Sequence, residues 1–145
     1  MERLLTSRFD ELFVLAEKSS RRRSHLNLHA SYEGKVQRLV IAMVRGSYVE
    51  PHYHELPHQW ELFTVLQGVV RGDNYSKSGE IISSRYLGEG QDSMMVTILP
   101  HEIHSVECIS KKALLLEVKE GPFNPEFAKA FPNFSAEKSN KHSHI

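Results

Sequence analysis

Cysteine is almost missing from this chain. Cys108 stands alone among 145 residues, so no internal disulfide can form, and a reduced compartment is expected. A surplus of charge is missing too: eighteen basic and eighteen acidic side chains cancel, leaving no global field to draw in nucleic acid or an anionic membrane surface. No apolar run approaches the length needed to span a bilayer. The start Met1, Glu2, Arg3, Leu4, Leu5 lacks the long apolar core of a signal peptide. These absences predict a cytoplasmic protein with no nucleic acid and no membrane as partner. What is present, 40% hydrophobic and 9% aromatic residues, suffices for one compact domain with its own core.

Hydrophobic periodicity changes once along the chain. Phe9, Leu12, Phe13 and Ala16 recur at helical spacing behind a Ser7/Asp10 pair that resembles a capping box, predicting an amphipathic helix over 7–18. Arg21, Arg22 and Arg23 follow it, where cations meet the carbonyl end of a helix favourably. From Leu26 onward short strands are expected at 26–29, 36–45, 48–54, 61–75, 81–87, 93–99, 104–109 and 113–119. Turn residues at 77–80, at Gly88 and Gly90, and at Lys111 and Lys112 separate them. Many short strands at this spacing predict a mainly β barrel or sandwich. Residues 120–134, with Pro122, Pro125 and Pro132, read as a tethered turn with a short helix near Phe127, and 135–145 as a flexible polar tail. The expected organisation is an N-terminal strand and helix over 1–24, a barrel over 25–134, and the tail.

The chemistry concentrates in His52-x-His54. In an extended segment both imidazoles face one side, and Tyr48, Val49 and Pro51 argue for strand rather than helix there. Glu61 opens a second apolar strand, and the segment through Val96, Thr97, Ile98, Leu99 and Pro100 turns over to His104. Three imidazoles and one carboxylate form a metal shell. By strand parity Glu61 shares a face with Phe63 and Val65, and His104 with Val106 and Cys108, which places the shell in an apolar interior. Burying that carboxylate with several imidazoles and no cation costs several kcal/mol, whereas a metal satisfies them together. The competing readings are hydrogen-bonded core histidines and, for Glu61 alone, a salt bridge or the orientation of a ligand imidazole. His25, Asn27 and His29 alternate with Leu26 and Leu28 as an ordinary polar outer face would. His58 and Trp60 lie between His54 and Glu61 as a surface loop or a lip over the site. Cys108 reads as a small core residue. His142 and His144 repeat the spacing adventitiously.

Gly46, five residues, His52-x-His54, then Glu61, six residues and Gly68 resemble the first motif of the cupin family, and Pro100 with His104 resembles its second. The resemblance implies a double-stranded β-helix, a jelly-roll barrel, with His52, His54, Glu61 and His104 as metal ligands. Two departures stand out. Six residues separate His54 from Glu61, more than the motif carries, and His101 occupies the place of its turn glycine. Histidine tolerates a left-handed turn better than most side chains.

A longer likeness runs through Arg22 to His29, Val36 to Leu39, Gly46 to Tyr48, Pro51 to His54, Trp60 to Phe63 and Glu117 to Pro122. Together these segments resemble the WbuC family of cupin-fold metalloproteins. The likeness implies a setting in O-antigen and lipopolysaccharide metabolism and a small-molecule ligand, a sugar or nucleotide sugar. It also implies that His25, Asn27 and His29 line a substrate cavity with Gln37, Arg38 and Tyr48. One divalent transition metal is expected as cofactor. Four protein ligands favour iron, manganese, nickel or cobalt at higher coordination over a closed zinc site, with zinc still able to occupy it. The expected protein binds or transforms its ligand at a metal acting as Lewis acid or redox centre. The alternatives are a non-catalytic metal-stabilised module and a metal-independent epimerase with a histidine base and a tyrosine acid. A homodimer paired through an edge sheet, with residues 1–6 contributing a strand, is the expected assembly.

Overall fold

Alternating apolar and polar residues build nine strands in the computed structural model, which describes residues 1–135. After α1 (Thr6–Lys18) come β1 (Arg23–Asn27), β2 (Val36–Val44), β3 (Tyr48–His52), β4 (Glu61–Gln67) and β5 (Val69–Tyr75). Then follow β6 (Ile81–Gly88), β7 (Met95–Ile98), β8 (Ile103–Cys108) and β9 (Lys112–Glu120). They form two antiparallel sheets, ordered β1-β2-β9-β4-β7 and β3-β8-β5-β6. The inner faces meet in a core of Leu39, Ile41, Met43, Val49, Val65, Val70, Leu87, Cys108 and Leu115, with Phe63 and Val106 packed against it. Burying such side chains supplies roughly 1.5–3 kcal/mol each.

β2 is buried on both faces, against the barrel-strand habit of one wet side. Its odd residues join the core, while Val40, Ala42 and Val44 lie under Leu12, Phe13 and Ala16 of α1. That apolar face holds the helix. The capping box expected at Ser7 is not formed: the N-cap is Leu5 and no side chain caps it. Arg22 donates to the Glu17 carbonyl at the other end, the role expected of that cationic run. Residues 1–5 form no strand in this chain.

The expected single strand over 61–75 is two strands, because the chain crosses from one sheet to the other at Gly68. Gly68 has φ +76°, and a Cβ there would lie 2.0 Å from the Lys112 carbonyl oxygen. Only glycine fits such a place. His101 adopts φ 69°, the left-handed turn expected of it. After β9 the chain doubles back through a 3₁₀ turn at Pro125–Phe127. Tyr53 and Ala130 then exchange backbone hydrogen bonds of 2.9 and 2.8 Å, closing the barrel end beside β3. Apart from Ser135, the expected tail, including His142 and His144, lies outside the described residues. Among the described residues no helix is long and apolar enough to cross a membrane.

Candidate metal centre

His52, His54, Glu61 and His104 are all buried and bring their ligand atoms within 4.8 Å of one another. Register explains the meeting. His52 at the end of β3 sits opposite His104 on β8, and their rings lie 4.3 Å apart. Glu61, the first residue of β4, arrives from the other sheet, so the cluster ties the two sheets together. The six residues between His54 and Glu61 loop outward without displacing Glu61. Gln59 fixes that loop, accepting from the Leu56 amide at 2.7 Å and donating to the Phe127 carbonyl at 2.7 Å. His58 meets the Pro122 carbonyl and Trp60 meets Glu120, so the loop is pinned to the end of β9 and the segment just after it.

Every histidine of the cluster uses Nδ1 on a backbone carbonyl: His52 on Glu50, His54 on Ala128 and His104 on Glu102, each at 2.8 Å. A carbonyl only accepts, so each Nδ1 carries a proton and Nε2 is the ring nitrogen left to face the cluster. Burial, with the neighbouring histidine and lysine charges, holds His52 well below its ordinary pKa. Burial likewise lowers His104 to about 4, against the pull of Glu61. Neutral imidazoles oriented through Nδ1 are the form that ligates a metal. His54 Nε2 and Glu61 Oε1 approach to 2.5 Å, yet neither atom has a hydrogen-bond partner. Both belong to the same buried cluster. The donor set fits a divalent transition metal.

Behind Glu61 lie two residues with no role in the sequence reading. Glu117 hydrogen-bonds Glu61, and its Oε2 lies 3.4 Å from Lys119 Nζ. Burial alone would raise Glu61, but His54, the Glu117 hydrogen bond and His104 outweigh it and hold Glu61 well below the usual carboxylate range. Burial drives Glu117 the other way, well above that range, against Lys119 and with the help of Glu61. The two carboxyl groups are thus driven apart, Glu61 toward the ionised and Glu117 toward the protonated form, beside Lys119. Strand parity marks both residues, since Glu117 and Lys119 share the inner face with Ala113 and Leu115. Lys129 is also buried and lines the same chamber, whose volume is about 30 Å³. It enters from the irregular C-terminal segment, where periodicity carries no signal.

The six expected substrate-binding residues separate. His25, Asn27, His29 and Gln37 surround one small pocket with Tyr32, Lys119 and Phe123, about 20 Å³ in volume, room for a water-sized group. Gln37 Nε2 is engaged with the carbonyls of Ser31, Tyr32 and Gly34 and so fixes the loop before β2. Arg38 points to the opposite face of β2 from Gln37 and Leu39 and is exposed. Tyr48 lies on the outer face of β3, its neighbour Val49 being in the core. There it hydrogen-bonds Tyr75 and Ser105, and burial raises its pKa. Cys108 is a buried core residue, and burial pushes its thiol up to about 11.

Residues 4–87, more than half of the chain, match the family described as a domain of unknown function, DUF6016. The chain belongs to the DUF6016 family. No curated protein matches this DUF6016 chain. Among solved structures it is similar to an oxalate oxidase in complex with the substrate analogue glycolate, at TM-score 0.57 and 17% identity, covering 72% of this chain and 54% of that one. It is also similar to KdgF from Halomonas sp., at TM-score 0.54 and 15% identity, over 70% of this chain and 80% of that one. A protein from Shewanella oneidensis matches at TM-score 0.58 and 10% identity, over 71% and 70%. The DUF6016 chain spans about half the length of the oxalate oxidase. At these identities the likeness establishes the fold, and that fold is the cupin jelly roll with one N-terminal helix.

Proposed function

We propose that this DUF6016 protein is a mononuclear metallocupin of the WbuC type, with His52, His54, Glu61 and His104 holding one divalent transition metal. The observation that carries the proposal is the gathering of three imidazoles and a carboxylate in one buried cluster, each imidazole aimed by its own Nδ1 bond. When bound, the metal supplies Lewis-acid or redox chemistry. The chain supplies the rest. Glu117 fixes the Glu61 carboxylate through a hydrogen bond, Lys119 lies against Glu117, and the C-terminal segment holds His54 through the Ala128 carbonyl. The WbuC likeness supports a sugar-related small molecule as ligand and a setting in O-antigen or lipopolysaccharide metabolism. The metal-independent epimerase finds less support, since among the described residues no tyrosine lines the metal chamber.

Elemental analysis of protein purified without chelators tests the proposal, beside a variant carrying His52→Ala and His104→Ala. The expected result is near-stoichiometric iron, manganese, nickel, cobalt or zinc that the variant lacks. Wild-type protein that folds, carries no metal and takes none up would overturn it.

A further inference from the structure

Beside the metal chamber lies a second, larger cavity of about 250 Å³ between the edge strands β6 and β7. The two spaces share Phe63, His104, Val106 and Leu115 as walls. Val65, Val70, Leu87 and Val96 give the larger one apolar sides, while Asn74, Thr97, Glu102, Ser105 and Arg85 add polar groups to its lining. Arg85 lies on the same face of the edge strand β6 as the core residue Leu87, but beyond the buried end of that strand, so its side chain is exposed at the opening of the cavity. Its guanidinium makes no hydrogen bond or ion pair among the described residues. Its partner on β5 is Gly72. A Cβ at Gly72 would meet nothing nearer than the Ser105 carbonyl oxygen at 4.0 Å, so the space before the guanidinium is open. The nearest carboxylate of the lining, Glu102, precedes β8, two strands away across β5.

We infer that this cavity is a ligand chamber for a small organic anion, whose carboxylate or phosphate is held by Arg85 at the mouth and whose body lies against the apolar walls toward His104. An apolar cavity of about 150 Å³ takes a benzene ring, so this one has room for roughly ten non-hydrogen atoms. A nucleotide sugar is far too large to enter. Asn74, Thr97 and Ser105 offer polar contacts to any ligand, so it is the Arg85 charge that favours an anion over a neutral sugar. A planar guanidinium with free donors suits a two-oxygen anion. The inference deepens the proposed function and rests on that reading only for the ligand's approach to a metal; the anion site itself stands without one.

The test is calorimetric titration of the wild-type protein with benzoate, phenyl phosphate, the neutral isostere benzamide and inorganic phosphate. Benzoate or phenyl phosphate is expected to bind at least ten-fold more tightly than benzamide and inorganic phosphate, and the tighter of the two identifies the anion class. Arg85→Ala should lose ten-fold or more, with Arg85→Lys between. Gly72→Leu, whose side chain fills the chamber at a backbone position free of strain, should abolish binding with Arg85 intact. Equal binding of benzamide or of inorganic phosphate, no effect of Arg85→Ala, or no binding of any probe would each overturn the inference. The titration is repeated in His52→Ala, a residue that does not line this cavity. Anion binding that survives there alongside absent metal keeps the two readings separable.

Discussion

Replacing Glu117 by glutamine probes the charge arrangement behind the candidate metal centre. Burial holds the Glu117 carboxyl well above its ordinary 4.5, against Lys119 and with the help of Glu61. In metal-free protein the folded state therefore keeps a proton that the unfolded chain releases above pH 4.5. Stability from this group is complete below that pH and falls as pH rises toward the folded-state value, by about 1.4 kcal/mol per pH unit. Glutamine keeps the shape and an N–H donor for Glu61 but has no proton to lose. Urea unfolding of chelator-treated wild type and Glu117→Gln, in half-unit steps from pH 4.5 to 7, should give curves that meet at the acid end. They should then diverge with the variant the more stable. Parallel curves would refute a protonated Glu117. A variant that weakens faster than wild type as pH rises would show instead an ionised Glu117 paired with Lys119. In the metal-loaded protein Glu117→Gln still hydrogen-bonds Glu61. Its metal affinity, measured by chelator competition, should fall less than that of Glu117→Leu, for which a loss of roughly 10- to 100-fold is expected.

Three further outcomes follow from the same geometry. Burial lowers His104 from 6.5 to about 4, so metal-free protein should lose roughly 3 kcal/mol from this group as pH falls through that window. His104→Gln should remove that part of the acid slope in urea titrations, and an unchanged slope would refute a neutral buried imidazole. Stripping a metal present at about a thousand times its dissociation constant removes about 4 kcal/mol, or roughly 10–15 °C in melting temperature for a domain of this size. A calorimetric scan that does not move would show that nothing bridges the sheets through the cluster. Gly68→Ala places a methyl group 2.0 Å from the Lys112 carbonyl oxygen at φ +76°. A loss of roughly 3 kcal/mol or more by urea unfolding is expected, and a change below about 1 kcal/mol would mean that the sheet crossing relaxes easily.

Most of the strands were legible because each buries one face, and alternation is visible in a single chain. The failures have local causes. Residues 61–75 read as one apolar run because Gly68 carries its information in a backbone angle and a 2.0 Å approach, neither of which alters hydrophobic pattern. Ser7 and Asp10 match a capping box in type and spacing, yet the helix begins at Thr6, and its position is set by Leu12, Phe13 and Ala16 on β2. Tertiary burial outweighs a cap worth about 1 kcal/mol.

The four candidate ligands were legible for a different reason. His52, His54 and His104 sit on strands, where parity fixes direction, and Glu61 opens a strand whose inner face was already apparent. Parity reaches Glu117 and Lys119 as well, so they were readable in principle as charges on the buried face of β9. It also separates Arg38 and Tyr48 from the barrel interior, since each alternates with a core residue, Leu39 and Val49. Lys129 and the Ala128 carbonyl lie in an irregular segment held by a backbone pairing with Tyr53 that spans the whole barrel in sequence. No local pattern encodes that return. Arg85 shows where the two kinds of information meet. Its type says surface, its parity with Leu87 says the barrel side of β6, and both hold, since it is exposed where the cavity opens.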